Sequence, residues 1–226
     1  MTGYFMNIRR IDEVVRAHAI DSLQYMLDQS SNDALVPMGQ LLAKLIEAIR
    51  QPLNDTVHSL QLDLSAYHRL LIRSQDMQHV LIKQQFEFCA AHRLHAANLT
   101  DEHNRQIFGK CNNPSGHGHN YRVEVTVKAP IEGDGSIMPA ERLEAVVDEA
   151  VVEYLDHKHL NVDIAEFADC NPSVENIAKM IYDRLDLRVA TLDVQLDAVS
   201  VWETPKTMCT YRGVHVEPHT NDLPQP

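Results

Sequence analysis

Residues 120 to 128 read Asn120-Tyr121-Arg122-Val123-Glu124-Val125-Thr126-Val127-Lys128, and this stretch decides the fold. Apolar and polar side chains alternate along it, as they do in a β-strand that has one buried face. Tyr121 and the valines share one face, and Arg122 begins the polar face. Residues 80 to 88 alternate in a similar way. We therefore expect two paired strands, closed by the Gly133-Asp134-Gly135 turn.

Two helices and a second pair of strands follow this hairpin in the sequence. Apolar spacing predicts helices from Pro139 to Leu155 and from Ser173 to Leu185, and Ser173 is a weak capping signal. Strands are expected over 195 to 201 and 209 to 214. The element order is ββααββ, which predicts an α+β fold with antiparallel strands.

The N-terminal part resembles a second, incomplete copy of this unit. Helices are expected over 11 to 26 and 38 to 50, and strands over 57 to 64 and 70 to 73. Residues 37 to 46 align with residues 172 to 181 at a constant offset, with Ala-Lys shared in both. We interpret residues 1 to 77 as a degenerate, structural ααββ half-repeat and residues 78 to 226 as the catalytic domain. The alternative is two unrelated amphipathic helices.

Composition excludes several classes of protein. The 226 residues are 44% hydrophobic and 23% charged, which argues against a disordered or collagen-like chain. The net charge of -12 argues against a protein that follows nucleic-acid phosphates. No apolar stretch approaches the roughly 18 residues of a membrane span, and no secretory signal is evident. The four scattered cysteines favour reduced thiols, and we expect a cytoplasmic protein.

Histidines supply the strongest signal for chemistry. His117 and His119 are two residues apart at the start of a strand, so both imidazoles can face one ion. Alternation allows only one of His92 and His95 to join them from the earlier strand. Three imidazoles would leave one open position, which is typical of catalytic zinc. From spacing alone, an accidental His-x-His pair is an equally good interpretation.

Three other positions are candidates for proton transfer or binding. Cys111 lies in a turn-rich loop six residues before His117, where a nearby cation would favour the thiolate, although a lone cysteine is more often a small buried hydrophobe. Asp156-His157 could orient a proton-transfer group or simply end a helix in solvent. Glu203 taken by itself would be a surface carboxylate.

Taken together, five blocks of the chain resemble the 6-pyruvoyltetrahydropterin synthase family. The likeness covers about residues 80 to 214, with the blocks in the family's order. The blocks are Phe88-Cys89-Ala90-Ala91-His92-Arg93-Leu94-His95, Phe108-Gly109-Lys110-Cys111-Asn112-Asn113-Pro114-Ser115-Gly116-His117-Gly118-His119-Asn120-Tyr121, Leu155-Asp156-His157-Lys158, Pro172-Ser173-Val174-Glu175-Asn176 and Glu203-Thr204-Pro205.

This resemblance implies the tunnelling fold (T-fold), in which ββααββ units of a homo-oligomer close a β-barrel. It implies Zn²⁺ on the three histidines His92, His117 and His119. It also implies Cys111 as the base, with Asp156 and His157 completing a proton-transfer triad. Glu203 would accept hydrogen bonds from the pterin ring.

The activity implied is the conversion of 7,8-dihydroneopterin triphosphate to 6-pyruvoyltetrahydropterin, with loss of triphosphate. Arg93, Lys110 and Lys158 are candidates to neutralise that triphosphate. One alternative is a 6-carboxytetrahydropterin synthase of the queuosine pathway, which also releases acetaldehyde. Another is a non-catalytic pterin-binding or assembly protein. No nucleic-acid or membrane partner is expected.

Overall fold

The computed structural model describes residues 6–29 and 36–213, and a seven-stranded sheet lies at its centre. The strands are β1 (Ser59–Asp63), β2 (His68–Arg73), β3 (Asp76–His92), β4 (His117–Pro130), β5 (Lys158–His159), β6 (Gln195–Thr204) and β7 (Thr207–Tyr211). Six of them follow the order β1-β2-β3-β4-β6-β7 with antiparallel neighbours. The short β5 pairs in parallel with the end of β3. The predicted α+β class is confirmed.

The pairing of β3 with β4 forms the long central ladder. It runs from His79 opposite Pro130 to His92 opposite His117. The apolar face predicted for residues 120 to 128 is fully buried, since Tyr121 and the three valines have no exposed surface. This alternation fixes the register, because a slip of one residue would turn the valines to solvent.

Helices cover the apolar face of the sheet. The predicted helix from Pro139 to Leu155 is continuous but changes pitch, with α5 (Ala140–Val147), a π-helical segment (Asp148–Val152) and α6 (Glu153–Leu155). The second predicted helix is α8 (Val174–Ala190). It is capped by Ser173, as expected, but continues beyond the predicted end at Leu185. Buried Val189 extends its apolar face beyond the predicted end.

Between β3 and β4 the structure has a helix that the sequence pattern did not predict, α4 (Asp101–Phe108). Asn104 is its one buried residue, so the apolar periodicity that identifies amphipathic helices is missing. The capping signal is present, because the Thr100 side chain accepts a hydrogen bond from the His103 backbone N–H. A further short helix, α7 (Leu160–Asp163), follows β5. None of the helices in the described ranges is long and apolar enough to cross a membrane.

The N-terminal residues form the predicted ααββ sequence of elements. A helix that includes α1 (Ile8–Val14), a π-helical segment (Val15–Ile20) and α2 (Asp21–Gln29) replaces the shorter helix expected over 11 to 26. The next helix, α3 (Met38–Arg50), has the predicted bounds. Strands β1 and β2 lie close to the predicted positions. The last strand was expected to reach Val214, which lies outside the described residues.

The sheet and the core run across the predicted boundary between residues 77 and 78. That boundary falls inside β3, and β2 pairs with β3. Leu42 and Ile46 of α3 belong to the same buried core as the valines of β4. The N-terminal elements therefore extend the main sheet and contribute to its core. The interpretation of residues 1 to 77 as a half-repeat stays a prediction.

Gly39 is a sensitive point of this packing. A Cβ atom there would lie 2.9 Å from the Gly135 carbonyl oxygen and 2.9 Å from methyl groups of Ile131 and Ile137. We expect Gly39→Ala to lower the free energy of unfolding by about 1–3 kcal/mol, because α3 must move away from this loop. Urea denaturation measures the change. Gly133→Ala is the matched control, since its Cβ would meet nothing within 4 Å; equal stability of the two variants would contradict the packing argument.

Candidate metal centre and catalytic groups

Three imidazoles meet at the end of the central ladder. His92, the last residue of β3, lies opposite His117, the first residue of β4. His119 is two residues further along β4 and faces the same side. Ring centroids are 4.5 Å apart for His92 and His117, and 4.8 Å apart for His117 and His119. His95 lies outside the cluster, and its Nδ1 is 3.1 Å from the Asn112 side-chain nitrogen.

The orientation of His92 is fixed by the backbone. Its Nδ1 lies 2.7 Å from the carbonyl oxygen of Pro172, and the side chain is buried. A carbonyl can only accept a hydrogen bond, so Nδ1 carries a proton. With that proton on Nδ1, the other ring nitrogen, Nε2, can direct a lone pair into the cluster. This is the tautomer that binds a metal through Nε2.

The nitrogen spacing fits a tetrahedral cation. Nε2 of His92 is 3.1 Å from Nε2 of His117. Two nitrogens at about 2.05 Å from a tetrahedral zinc ion would be about 3.3 Å apart. In addition, buried His119 Nε2 has no hydrogen-bond partner among the described residues. Ring nitrogens that converge in this way suit a positive ion at their centre once they present lone pairs to it.

Glu203, near the end of β6, lies in the same cluster. Its Oε1 is 2.9 Å from Nε2 of His92 and 3.2 Å from Nε2 of His119. One ligand atom from each of the three histidines and Glu203 lies within 4.8 Å of every other. Its contact with Nε2 of His92 is the main cause of a lowered pKa for Glu203, so the carboxylate is ionised at neutral pH. Glu203 is therefore placed either to bind a metal or to contact a ligand beside one.

The electrostatics keep His117 and His119 in the form that binds metals. Burial is the main cause that lowers the pKa of both rings. Neighbouring imidazoles add to the effect, while Glu203 opposes it. Neutral imidazole is the form that coordinates a metal ion, so the cluster does not have to lose protons near pH 7 to do so.

Cys111 is near this cluster in a short 3₁₀ turn, Gly109–Asn112. The backbone N–H of Leu94 donates to its carbonyl oxygen at 2.8 Å, which ties the turn to the segment after His92. Burial, and then the charge of Glu203, raise the pKa of the half-buried Cys111 thiol. Cys111 therefore lies within the electrostatic reach of the carboxylate that contacts the histidines.

Asp156 and His157 lie against a different cysteine. Asp156 Oδ1 accepts a hydrogen bond from the backbone N–H of Cys89 at 2.8 Å, and Oδ2 is 2.7 Å from Nδ1 of His157. The Cys89 and His157 contacts lower the pKa of Asp156. The His157 side chain is 82% exposed. Among the described residues, no hydrogen bond or ion pair joins Cys111 to Asp156 or His157, and the proton-transfer triad of these three residues stays a prediction.

Two further groups in the site escaped the sequence analysis. The Pro172 carbonyl fixes His92, and its presence depends on a fold contact that no local pattern reveals. The buried Tyr121 hydroxyl has no hydrogen-bond partner in the described part of the chain. Burial is the main cause of its raised pKa, followed by Glu203 and Cys111. Strand alternation predicts that the Tyr121 side chain is buried, but it does not show which groups surround the hydroxyl.

An antiparallel sheet with helices on one face and a four-ligand cluster at the end of its central ladder defines a T-fold protein with a candidate metal centre. A family model described as 6-pyruvoyl tetrahydropterin synthase matches residues 81–214, and the chain belongs to this family.

Relatives and a solved structure agree with this assignment. A 6-pyruvoyl tetrahydrobiopterin synthase from Homo sapiens is 42% identical over 133 residues, which are 58% of this chain and 90% of that protein. A 6-carboxy-5,6,7,8-tetrahydropterin synthase from Bacillus subtilis is 32% identical over 114 residues, 48% of this chain and 74% of the other. The structure of 6-pyruvoyl tetrahydropterin synthase from Caenorhabditis elegans is 32% identical, with a TM-score of 0.56, and the match covers 60% of this chain and 96% of that one.

Proposed function

We propose that this protein is a metal-dependent lyase that converts 7,8-dihydroneopterin triphosphate to 6-pyruvoyltetrahydropterin with elimination of triphosphate. The observation that carries the proposal is the convergence of His92, His117 and His119 beside Cys111, within a chain of this family. Elimination with internal rearrangement needs proton transfer and charge stabilisation but no redox cofactor. The residues of the cluster are suited to both tasks.

The proposed metal is zinc, held by the Nε2 atoms of the three histidines. Neutral imidazole also suits iron, nickel and copper, and the three-histidine set with a further open position is typical of catalytic zinc. When bound, zinc would act as a Lewis acid for the hydroxyl groups of the substrate side chain. His92 is held for this role by Pro172, and Glu203 adds negative charge beside it.

Cys111 is the proposed proton acceptor. Its thiol is half-buried at the edge of the cluster, where a bound cation would favour the thiolate and offset the effects of burial and Glu203. Glu203 is proposed to accept hydrogen bonds from the pterin ring. Its second carboxylate oxygen gives it the capacity to accept two donors side by side.

Asp156 and His157 are proposed to complete the site from a second copy of the chain. His157 is exposed, and Asp156 holds its Nδ1, so the remaining Nε2 is free to act on a group that approaches from outside. Strands β1 and β7 are the two edges of the described sheet. Unpaired edge strands pair readily with another chain, which supports a homo-oligomer. In such an assembly, His157 of one copy would act beside Cys111 of another.

Mixing two inactive variants tests this arrangement. We expect Cys111→Ala and His157→Asn each to lower turnover by about 10²–10⁴-fold on its own. Co-expression would restore activity well above that of either variant, because mixed assemblies contain some sites with both native groups. The measurement is turnover of affinity-purified mixed oligomers. A mixture as inactive as its parents would place both groups of a site on the same chain.

The rival function is that of a 6-carboxytetrahydropterin synthase. The loop from Cys111 to His117, with its Asn-Asn-Pro sequence, favours the pyruvoyl product. The chain is also more similar to the Homo sapiens relative than to the Bacillus subtilis one. Incubation of the purified protein with the triphosphate substrate separates the two. We expect triphosphate release without acetaldehyde, whereas stoichiometric acetaldehyde would support the rival.

A non-catalytic pterin-binding role makes a different prediction from either enzyme. Such a protein would bind the substrate without releasing triphosphate, and Cys111→Ala would then leave the background rate unchanged. The charge of Glu203 affects the Cys111 thiol, so Cys111 lies close enough to the candidate cluster to act with it, which favours catalysis over binding alone.

The N-terminal part, residues 1 to 77, is proposed to be structural. The metal-binding cluster found among the described residues draws all its ligands from the later part of the chain. Strands β1 and β2 extend the sheet beyond β3, so they supply one of the edges available for assembly. The four cysteines are free, which fits a reducing compartment, and we include a cytoplasmic location in the proposal.

A further inference from the structure

A cavity with three cationic side chains is formed by backbone segments that also carry groups of the candidate metal centre. Its volume is about 250 Å³, and its cations are Arg93, Arg105 and Lys110. Arg93 follows the proposed metal ligand His92 in the chain, and Lys110 precedes the proposed base Cys111. Adjacent residues have Cα atoms about 3.8 Å apart, so the cavity wall and the catalytic groups share the same two backbone segments.

Positive charge predominates in this cavity, with three cations and one acidic side chain. In the described part of the chain, none of its three cations forms an ion pair, although acidic residues outnumber basic ones by 32 to 20. Asp101 also lines the cavity but pairs with none of them. A group of unpaired cations around a concavity raises the local concentration of anions.

The backbone that carries these cations is held firmly. Arg93 donates its backbone N–H to the Asn161 side chain at 2.8 Å, and the Asn161 amide donates back to the Arg93 carbonyl at 2.9 Å. The Arg93 Nε donates to the Asn112 carbonyl at 3.2 Å, and the Asn112 amide donates to the Leu94 carbonyl at 2.7 Å. These hydrogen bonds link the end of β3 to the Cys111 turn and hold the cavity wall in place.

Gly109 completes the wall. Its φ of +51° lies in the region that favours glycine, and this residue ends α4 and turns the chain toward Lys110. A Cβ at Gly109 would meet nothing within 4 Å, so the position is open toward the cavity rather than packed. The turn therefore brings Arg105 of α4 and Lys110 to the same cavity.

We propose that this cavity is the subsite for the triphosphate of the substrate and for the inorganic triphosphate released from it. The proposal rests on the proposed function, since it assigns the leaving group of that reaction. In the elimination, a base of the site takes a proton from the neighbouring carbon, and the electron pair of that C–H bond forms a carbon–carbon double bond. The carbon–oxygen bond breaks, and its electron pair stays on the phosphate oxygen. Guanidinium groups suit that charge because they donate paired hydrogen bonds to phosphate oxygens.

This assignment separates the three cations that the sequence suggested for the triphosphate. Arg93 and Lys110 line the proposed subsite together, and Arg105 joins them from α4. Lys158 lies instead in a larger open cavity of about 520 Å³ with Cys89 and His157. Within one chain, Lys158 is therefore not part of the proposed subsite.

Binding of inorganic tripolyphosphate to the metal-loaded protein tests the subsite by isothermal titration calorimetry. We expect Arg105→Gln and Lys110→Gln each to weaken its affinity about tenfold or more, with metal content unchanged. Both side chains are exposed, so the variants should fold normally. Lys44→Gln, an exposed lysine on α3, is the control for the loss of one positive charge.

Two results would overturn the subsite: affinities unchanged in Arg105→Gln and Lys110→Gln, or an equal loss in Lys44→Gln. Steady-state kinetics with the pterin substrate separates this proposal from the proposed function. Tripolyphosphate binding that depends on Arg105 and Lys110, without any pterin turnover, would support the proposed subsite and contradict the proposed function. Normal turnover with an unchanged KM in both variants would support the proposed function and contradict the proposed subsite.

Discussion

Replacing His117 by alanine is expected to remove the bound metal ion and to lower turnover by more than about 100-fold. His117 supplies one of three converging nitrogens, and its Nε2 is 3.1 Å from that of His92. Two imidazoles alone make a weak site, and even loss of a supporting contact to a metal ligand costs about 10–100-fold in affinity or activity. Metal content after dialysis and the initial rate of triphosphate release measure the two effects.

The control for this variant is His58→Ala. His58 is exposed and lies before β1, outside the cluster of metal-binding groups. It should retain both metal and activity. Full metal content in His117→Ala, with the fold intact by circular dichroism, would contradict the three-histidine centre.

Replacing Cys111 by alanine is expected to lower turnover by about 10²–10⁴-fold while the metal stays bound. The thiol lies beside the cluster, but the candidate metal-binding group consists of the three histidines and Glu203. This variant should therefore lose proton transfer but keep the bound metal. The measurements are turnover of the triphosphate substrate and metal content of the same preparation.

Cys170→Ala is the matched control, because Cys170 is an exposed free cysteine that is not part of the candidate metal-binding group. It should retain wild-type turnover and metal content. Loss of metal from Cys111→Ala would identify the thiol as a ligand instead of a base. Wild-type turnover in that variant would remove Cys111 from the mechanism.

Much of the fold follows from local pattern. The alternation of residues 120 to 128 predicts β4, because the buried face must repeat every second residue. The apolar spacing of α3 predicts both of its ends. In contrast, α4 buries only Asn104 and has no apolar stripe to detect. Pairing of β2 with β3 depends on a tertiary contact, so the continuous sheet was not evident from the sequence.

The candidate site shows the same division between local and long-range information. His117 and His119 could be paired from their spacing on one strand, and the family resemblance selected His92 over His95. The approach of Glu203 to these rings depends on how β6 packs beside β4, which spacing does not give. The contact of Asp156 with the Cys89 backbone likewise joins residues that are far apart in the chain, so spacing does not give it. The roles of these residues stay predictions.

The most direct measurement is X-ray diffraction from crystals of the as-isolated protein at wavelengths on both sides of the zinc absorption edge. The account predicts a single anomalous peak at about 2.0–2.1 Å from Nε2 of His92, His117 and His119. The same map would show whether Glu203 completes the coordination or faces the substrate. Three imidazoles without a peak between them, or a zinc ion bound elsewhere on the chain, would contradict the metal-dependent mechanism.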